Sequence, residues 1–226
     1  MTETTLNKRP AQGRLTRWMI YAGVSILALI AGVIVAGLDT EEMLGATGNI
    51  TQLEGASVLE PAKPIPDFSL NDSLGKAFNR ESLLGQWTFV FFGYTYCPDV
   101  CPTALARFNE VHEVLEANSE LADTAFVFVS VDPQRDSLKR LGDYVRYFNP
   151  AFQAATGETE QIDTFARASG AVYLRVPGRD EDNYLIDHTA AVFLYNPAGE
   201  LRAIFNAPHD PLAISKALRA IRSKTL

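Results

Sequence analysis

Two cysteines, Cys97 and Cys101, are the residues of this chain best suited to chemistry. They are its only cysteines, and both lie in the run FFGYTYCPDVCP of residues 91–102, between a strand-like and a helix-like segment. Residues four apart on a helix project from one face with Cα atoms about 6 Å apart, a separation that a disulfide tolerates. The unpaired N–H groups of a helix N-terminus also stabilise thiolates, the reactive and metal-binding form. The spacing therefore indicates reversible disulfide formation or binding of a soft metal ion.

A soft-metal site needs a third ligand, and the chain offers three histidines. His112 follows Cys101 on the same predicted helix, and at about 1.5 Å rise per residue it lies some 16 Å away. His209 is interpreted as a loop residue or a helix cap. His188 precedes a predicted strand, where its loop can approach the cysteines, although such a histidine taken alone is more often structural. Two thiolates and one imidazole would suit trigonal copper better than a structural zinc site, which normally has four protein ligands.

The pattern of apolar residues predicts an α/β fold from about residue 66 onward. Residues 87–93 and 125–131 are continuous apolar runs, typical of strands that are buried on both faces. Helical spacing follows each run, and a turn between two further strand-like segments precedes a closing helix. The predicted helices are 100–118, 135–148, 158–169 and 211–222. The other predicted strands are a short hairpin of 68–70 and 77–78 and the segments 171–176, 190–195 and 201–205. Alternation of this kind predicts a mixed sheet with helices on both faces.

The N-terminal part of the chain has the charge pattern of a membrane anchor. Residues 18–38 carry no charge, and their length matches the roughly 20 residues that cross a bilayer core. By the positive-inside rule, the basic residues 1–17 stay in the cytoplasm and the rest is exported. We therefore predict a single-pass transmembrane anchor in the cytoplasmic membrane, a linker of residues 39–65 and a periplasmic domain of residues 66–226. A cleaved signal peptide is the alternative, although its apolar core is usually shorter, roughly 7–15 residues.

The overall charge excludes one class of partner. The chain of 226 residues has a formal net charge of −7, and the part after the predicted anchor is more acidic than this total. Such a charge argues against non-specific binding to nucleic acid.

Three separated motifs resemble the Sco/SenC family of copper-binding, membrane-anchored proteins with a thioredoxin-like fold. They are GYTYCPDVCP at residues 93–102, SVDPQRD at residues 130–136 and DHTA at residues 187–190. Their order and spacing agree with the family across about residues 60–226. Three motifs in order are a much more specific signal than two cysteines alone.

The resemblance implies a metallochaperone that binds one copper ion, as Cu(I) or Cu(II), through Cys97, Cys101 and His188. It implies a role in assembling the dinuclear copper site of cytochrome c oxidase subunit II, by delivering copper, by reducing the cysteines of that partner, or both. Another copper chaperone would be the donor. Asp132 corresponds to an acidic residue near the copper site of the family. The alternative interpretation of Asp132 is a residue at the end of a strand that caps the next helix.

Other functions remain open from the residues alone. The main alternative is a membrane-anchored thiol–disulfide oxidoreductase that uses Cys97 and Cys101 as a redox-active pair without a metal. The three intervening residues weaken that alternative, because the thioredoxin type has two. A peroxidase with one low-pKa cysteine and a structural disulfide in an exported domain are further alternatives.

Overall fold

The computed structural model describes residues 49–53, 55–178 and 183–224. The predicted cytoplasmic segment 1–17 and the predicted anchor 18–38 lie outside these residues. In the part of the chain that is described, no helix is long and apolar enough to cross a membrane.

Nine of the eleven described strands form one mixed sheet, in the order β1-β2-β11-β10-β5-β6-β7-β3-β4. Strands β5, β6 and β7 are parallel to one another, and the other pairs are antiparallel. Strands β8 and β9 form a separate two-stranded antiparallel sheet. The strands are β1 (Asn49–Leu53), β2 (Ala56–Lys63), β3 (Ser69–Asp72), β4 (Ala77–Asn79), β5 (Trp87–Gly93), β6 (Thr124–Ser130), β7 (Gln153–Thr156), β8 (Tyr173–Val176), β9 (Leu185–His188), β10 (Val192–Tyr195) and β11 (Leu201–Phe205).

Helices flank this sheet, as the sequence predicts. They are α1 (Val100–Ala117), α2 (Leu138–Phe148), α3 (Thr159–Ser169) and α4 (Pro211–Lys224), and a short 3₁₀ helix covers Arg80–Leu83. Phe91 of β5 packs against Phe108 of α1, whereas the next residue, Phe92, packs against Phe165 of α3. Because successive residues of a strand point to opposite faces, α1 and α3 cover opposite faces of the sheet. The predicted mixed sheet with helices on both faces is confirmed.

The structure differs from the sequence prediction at the start of the domain. Two segments of the predicted linker 39–65, Asn49–Leu53 and Ala56–Lys63, form β1 and β2 of the main sheet. Strand β2 pairs with both β1 and β11, and Ala56 and Val58 belong to the hydrophobic core. The folded domain therefore begins before residue 66.

Two further differences concern elements near the predicted site. Helix α2 begins at Leu138 rather than at residue 135, because the side chain of Ser137 accepts a hydrogen bond from the backbone N–H of Arg140 and caps the helix. Strand β9 was not predicted, and it ends at His188. It pairs with β8, so the predicted strand 171–176 belongs to the small sheet and not to the main one.

Candidate metal centre

The two cysteines lie at the junction between β5 and α1. Cys101 is in the first turn of α1 and is fully buried, whereas Cys97 is in the preceding loop and is half-buried. The geometric argument from residues four apart on one helix therefore does not apply to Cys97. Helix α1 begins at Val100, three residues after Cys97. Both cysteines are reduced, and the backbone N–H of Cys101 donates to Cys97 Sγ over 3.4 Å.

His188 comes to the cysteines from the end of β9. Its Nε2 atom lies 3.2 Å from Cys101 Sγ, and the ligand atoms of His188, Cys97 and Cys101 all lie within 4.8 Å of one another. The Nδ1 atom of His188 lies 3.2 Å from the carbonyl oxygen of Thr189. Because a carbonyl oxygen only accepts, Nδ1 is the donor in this contact. The structure thus brings together the three residues that the sequence singled out.

The other two histidines lie elsewhere. His112 packs against Phe126 and Phe152, and His209 is buried with its ring edge-on to Phe91. Within the described ranges, Cys97, Cys101 and His188 are the only group of three or more His, Cys, Asp or Glu side chains arranged to hold a metal ion.

The two thiols have opposite tendencies to ionise. A hydrogen bond from the Cys101 thiol, with smaller contributions from the side chain of His188 and the backbone N–H groups of Cys101 and Asp99, lowers the pKa of Cys97 to about 3. That same hydrogen bond, and then burial, raise the pKa of Cys101. Cys97 is therefore the thiolate of the pair in the metal-free protein, and Cys101 keeps its proton.

Asp132 lies outside the ligand cluster but contacts the segment that carries His188. Its carboxylate is 2% exposed, accepts from Arg135 Nε over 2.6 Å and accepts from the hydroxyl of Tyr184 over 2.6 Å. The alternative interpretation of Asp132 as a helix cap is wrong, because Ser137 caps α2.

Asp136 is a residue of the site region that sequence reasoning missed. This buried carboxylate accepts from the backbone N–H of Thr95 (2.9 Å), from the Thr95 hydroxyl (2.5 Å) and from the Ser130 hydroxyl (2.6 Å). Thr95 is two residues before Cys97, so Asp136 fixes the start of the cysteine loop to the end of β6. The signal was present in the motif SVDPQRD, but only its first aspartate was singled out.

Known proteins with similar sequences show the family to which this chain belongs. The model of the SCO1/SenC family matches residues 56–223. The chain belongs to the SCO1/SenC family. The matched residues include all three ligand candidates and most of the nine-stranded sheet.

Individual SCO1/SenC proteins resemble this chain along much of its length. The mitochondrial SCO1 homolog of Homo sapiens is 31% identical over 223 residues, which are 96% of this chain and 72% of the human protein. A SCO2-like protein of Rickettsia conorii is 36% identical over 154 residues, which are 68% of this chain and 74% of that protein.

Solved structures of the family share the fold. The crystal structure of Arabidopsis thaliana ScoI with copper bound has a TM-score of 0.66 and 31% identity, covering 70% of this chain and 98% of that one. The copper-bound structure of Bradyrhizobium japonicum ScoI has a TM-score of 0.63 and 33% identity, covering 70% and 99%. The similarity supports the thioredoxin-like assignment of this SCO1/SenC domain.

Gly93, the last residue of β5, leaves room for the buried sulfur. A Cβ atom built on Gly93 would lie 2.7 Å from Cys101 Sγ and 2.9 Å from Cε2 of Phe128. Both distances are shorter than van der Waals contact. The position of Cys101 Sγ therefore depends on the absence of a side chain at residue 93.

We predict that Gly93→Ala displaces Cys101 Sγ and lowers the free energy of unfolding by about 1–3 kcal/mol, the usual range for overpacking a core. Urea denaturation of the reduced protein measures the loss. Gly93→Ala combined with Phe128→Leu, which removes the ring beside the new methyl group, should recover part of the stability. Unchanged stability in the single variant would contradict the tight packing of Gly93 against Cys101.

We also predict that iodoacetamide alkylates Cys97 of the reduced, metal-free protein and leaves buried Cys101 unmodified. Because Cys97 is already a thiolate well below neutral pH, its rate should change less than about twofold between pH 8 and pH 6. The thiolate fraction of an ordinary thiol falls roughly a hundredfold over that interval. Glutathione is the control, measured by mass spectrometry under the same conditions. A Cys97 rate that falls in parallel with glutathione would show that the thiolate is not stabilised.

Proposed function

We propose that this SCO1/SenC protein is a metallochaperone that binds one copper ion through Cys97, Cys101 and His188. The observation that carries the proposal is the convergence of two sulfur atoms and one imidazole nitrogen within 4.8 Å. Copper-bound structures of the related Arabidopsis and Bradyrhizobium ScoI proteins support the choice of metal.

The set of donors favours copper over structural zinc. Thiolates select soft ions such as Cu(I), and imidazole suits copper in both of its common oxidation states. A closed zinc site would require a fourth ligand, and no fourth His, Cys, Asp or Glu joins the cluster among the residues that the structure describes. The three residues fit a copper ion with an open coordination position.

The surroundings of the site favour transfer rather than permanent storage. An open groove of about 460 Å³, lined by residues such as Val172, Leu174 and Asp187, reaches His188. Cys97 is half-buried, and Cys101 is fully buried. An incoming thiolate from a partner would therefore meet His188 and Cys97 first and displace Cys101 last, and copper would pass between proteins without becoming a free ion.

The proposed partner is cytochrome c oxidase subunit II, in whose dinuclear copper site the family resemblance implies a role. The proposed donor is another copper chaperone outside the cytoplasm. For the residues outside the described ranges, we propose that 18–38 anchor the protein in the cytoplasmic membrane, with 1–17 in the cytoplasm. The copper-binding domain would then lie on the periplasmic side.

A second candidate function is reduction of a disulfide in the partner. The low pKa and partial exposure of Cys97, beside the protonated thiol of Cys101, favour it. Cys97 would attack the disulfide of the partner, and Cys101 would then release the partner as a dithiol. The partner gains two electrons, and the Cys97–Cys101 pair becomes a disulfide that an external dithiol must reduce again.

We predict that the reduced protein binds one equivalent of copper under anaerobic titration with Cu(I) and then Cu(II). The Cu(II) complex should show a sulfur-to-copper charge-transfer band that requires Cys97, Cys101 and His188. His188→Ala should weaken Cu(II) binding by at least about tenfold, which is about 1.4 kcal/mol. His112→Ala is the matched control, since that imidazole lies outside the cluster, and it should leave both affinity and spectrum unchanged.

Two results would count against the copper assignment. An unchanged spectrum and affinity in His188→Ala would remove His188 from the ligand set. Weak copper binding, together with fast exchange of the dithiol against a test disulfide, would favour the oxidoreductase.

A further inference from the structure

The strand that carries His188 has little support from the main sheet. Among the described strands, β9 pairs only with β8, and a two-stranded hairpin is at best marginally stable alone. Leu174 of β8 and Leu185 of β9 are 69% and 53% exposed. Side chains that join the hairpin to the body of the domain therefore contribute to the position of His188.

One face of the segment around β9 makes these contacts. Tyr184, Ile186 and His188 alternate along the chain and so share a face, whereas Leu185 points to solvent. Tyr184 and Ile186 are both buried, and the backbone N–H of Ile186 donates to the hydroxyl of Tyr94 over 3.1 Å.

Tyr184 makes the most extensive of these contacts. Its hydroxyl donates to Asp132 Oδ1 over 2.6 Å, and its carbonyl oxygen accepts from Arg135 Nη1 over 3.0 Å. The guanidinium carbon of Arg135 lies 3.5 Å from the centroid of the Tyr184 ring, and Arg135 Nε is paired with Asp132 Oδ2 over 2.6 Å. These three residues, called here the Tyr184 clamp, form a closed set of contacts that water does not easily replace, because Asp132 and Tyr184 are buried.

The clamp also reaches the cysteine loop. The guanidinium group of Arg135 lies over the ring of Tyr96, 4.7 Å from its centroid, and Tyr96 is next to Cys97. Asp132 and Arg135 follow β6, which is paired in parallel with the strand that leads to Cys97. One arginine therefore contacts both of the segments that supply ligands.

We propose that Tyr184, Asp132 and Arg135 are positioning residues for His188. They hold the imidazole beside the thiols in the metal-free protein, so that the third ligand is already in place when copper arrives. The proposal rests on the proposed function, because it assigns His188 as a copper ligand. Its consequence is that Tyr184→Phe, which leaves Arg135 and its contact with Tyr96 in place, lowers Cu(II) affinity through His188.

The test compares Tyr184→Phe, His188→Ala and the double variant in the full chain. Tyr184→Phe removes one hydroxyl and keeps the ring beneath Arg135. Tyr195→Phe is the matched control, since it deletes a buried tyrosine hydroxyl that bonds to Ser169 in the core. Cu(II) affinity and the charge-transfer band are measured for each variant, and hydrogen exchange of the amides in residues 185–188 is measured without metal.

Tyr184→Phe should accelerate hydrogen exchange in residues 185–188 and weaken Cu(II) binding, each by about tenfold, as expected for one hydrogen bond to a charged group. In the His188→Ala background, the same change should alter Cu(II) affinity by less than about twofold, since additivity fails for residues that act through one another. Tyr195→Phe should change neither quantity.

The outcomes separate the two proposals. If His188→Ala weakens Cu(II) binding but Tyr184→Phe changes neither exchange nor affinity, the clamp is wrong and the metallochaperone stands. If Tyr184→Phe lowers Cu(II) affinity by the same factor in the His188→Ala background as in the unmodified protein, Tyr184 acts through general stability and not through His188. The positioning role of the Tyr184 clamp is then also wrong. If His188→Ala has no effect, both proposals fall.

A second variant covers the case in which Tyr184→Phe does not fold. Arg135→Lys keeps a positive charge beside Asp132 but loses the planar group that lies over the Tyr184 ring and bonds to its carbonyl oxygen. Arg135→Lys should also weaken Cu(II) binding, and most of this loss should disappear in the His188→Ala background, with any remainder due to the contact of Arg135 with Tyr96. An affinity equal to that of the unmodified protein would overturn the clamp.

Discussion

The parallel pairing of β5 with β6 is the constraint on which the site depends. Gly93 is in register with Ser130, and the backbone N–H of Val131 donates to the carbonyl oxygen of Gly93 over 2.8 Å. Because the carboxyl ends of parallel strands meet at one edge of a sheet, the cysteine loop and the segment after β6 leave the sheet side by side. The buried bonds from Thr95 to Asp136 depend on that adjacency. A shift of register between β5 and β6 would separate them.

The sequence was sufficient to predict the parts of the site that depend on a local pattern of residues. The buried runs of β5 and β6 and the cysteines between β5 and α1 are readable from apolar spacing and from the family motifs. The sequence did not predict those parts of the site whose positions depend on contacts between segments far apart in the chain. Strand β9 is short, half-exposed and stabilised by β8 and by Asp132, 52 residues before Tyr184. No local pattern in residues 184–188 reports such a contact.

The predicted linker 39–65 is a second case in which local sequence did not predict the structure. Prolines are common in extended tethers, yet Pro61 of this segment lies within β2. The ladder between β2 and β11 is irregular there, with Val58 opposite Ala203 and Lys63 opposite Leu201. A residue without a backbone N–H is tolerated at such an irregularity. Composition alone does not distinguish a proline in an interrupted strand from a proline in a tether.

The placement of β8 and β9 outside the main sheet gives the three proposed ligands unequal structural support. Cys101 belongs to α1 and Cys97 to the loop between β5 and α1, whereas the imidazole belongs to a hairpin outside the nine-stranded sheet. Opening of the Tyr184 clamp would let this hairpin move while the strand pairing of the main sheet stays in place. Local motions of this kind are far more frequent than global unfolding. If Cys97, Cys101 and His188 bind copper as proposed, movement of the hairpin would lower the number of protein ligands from three to two while the fold stays intact.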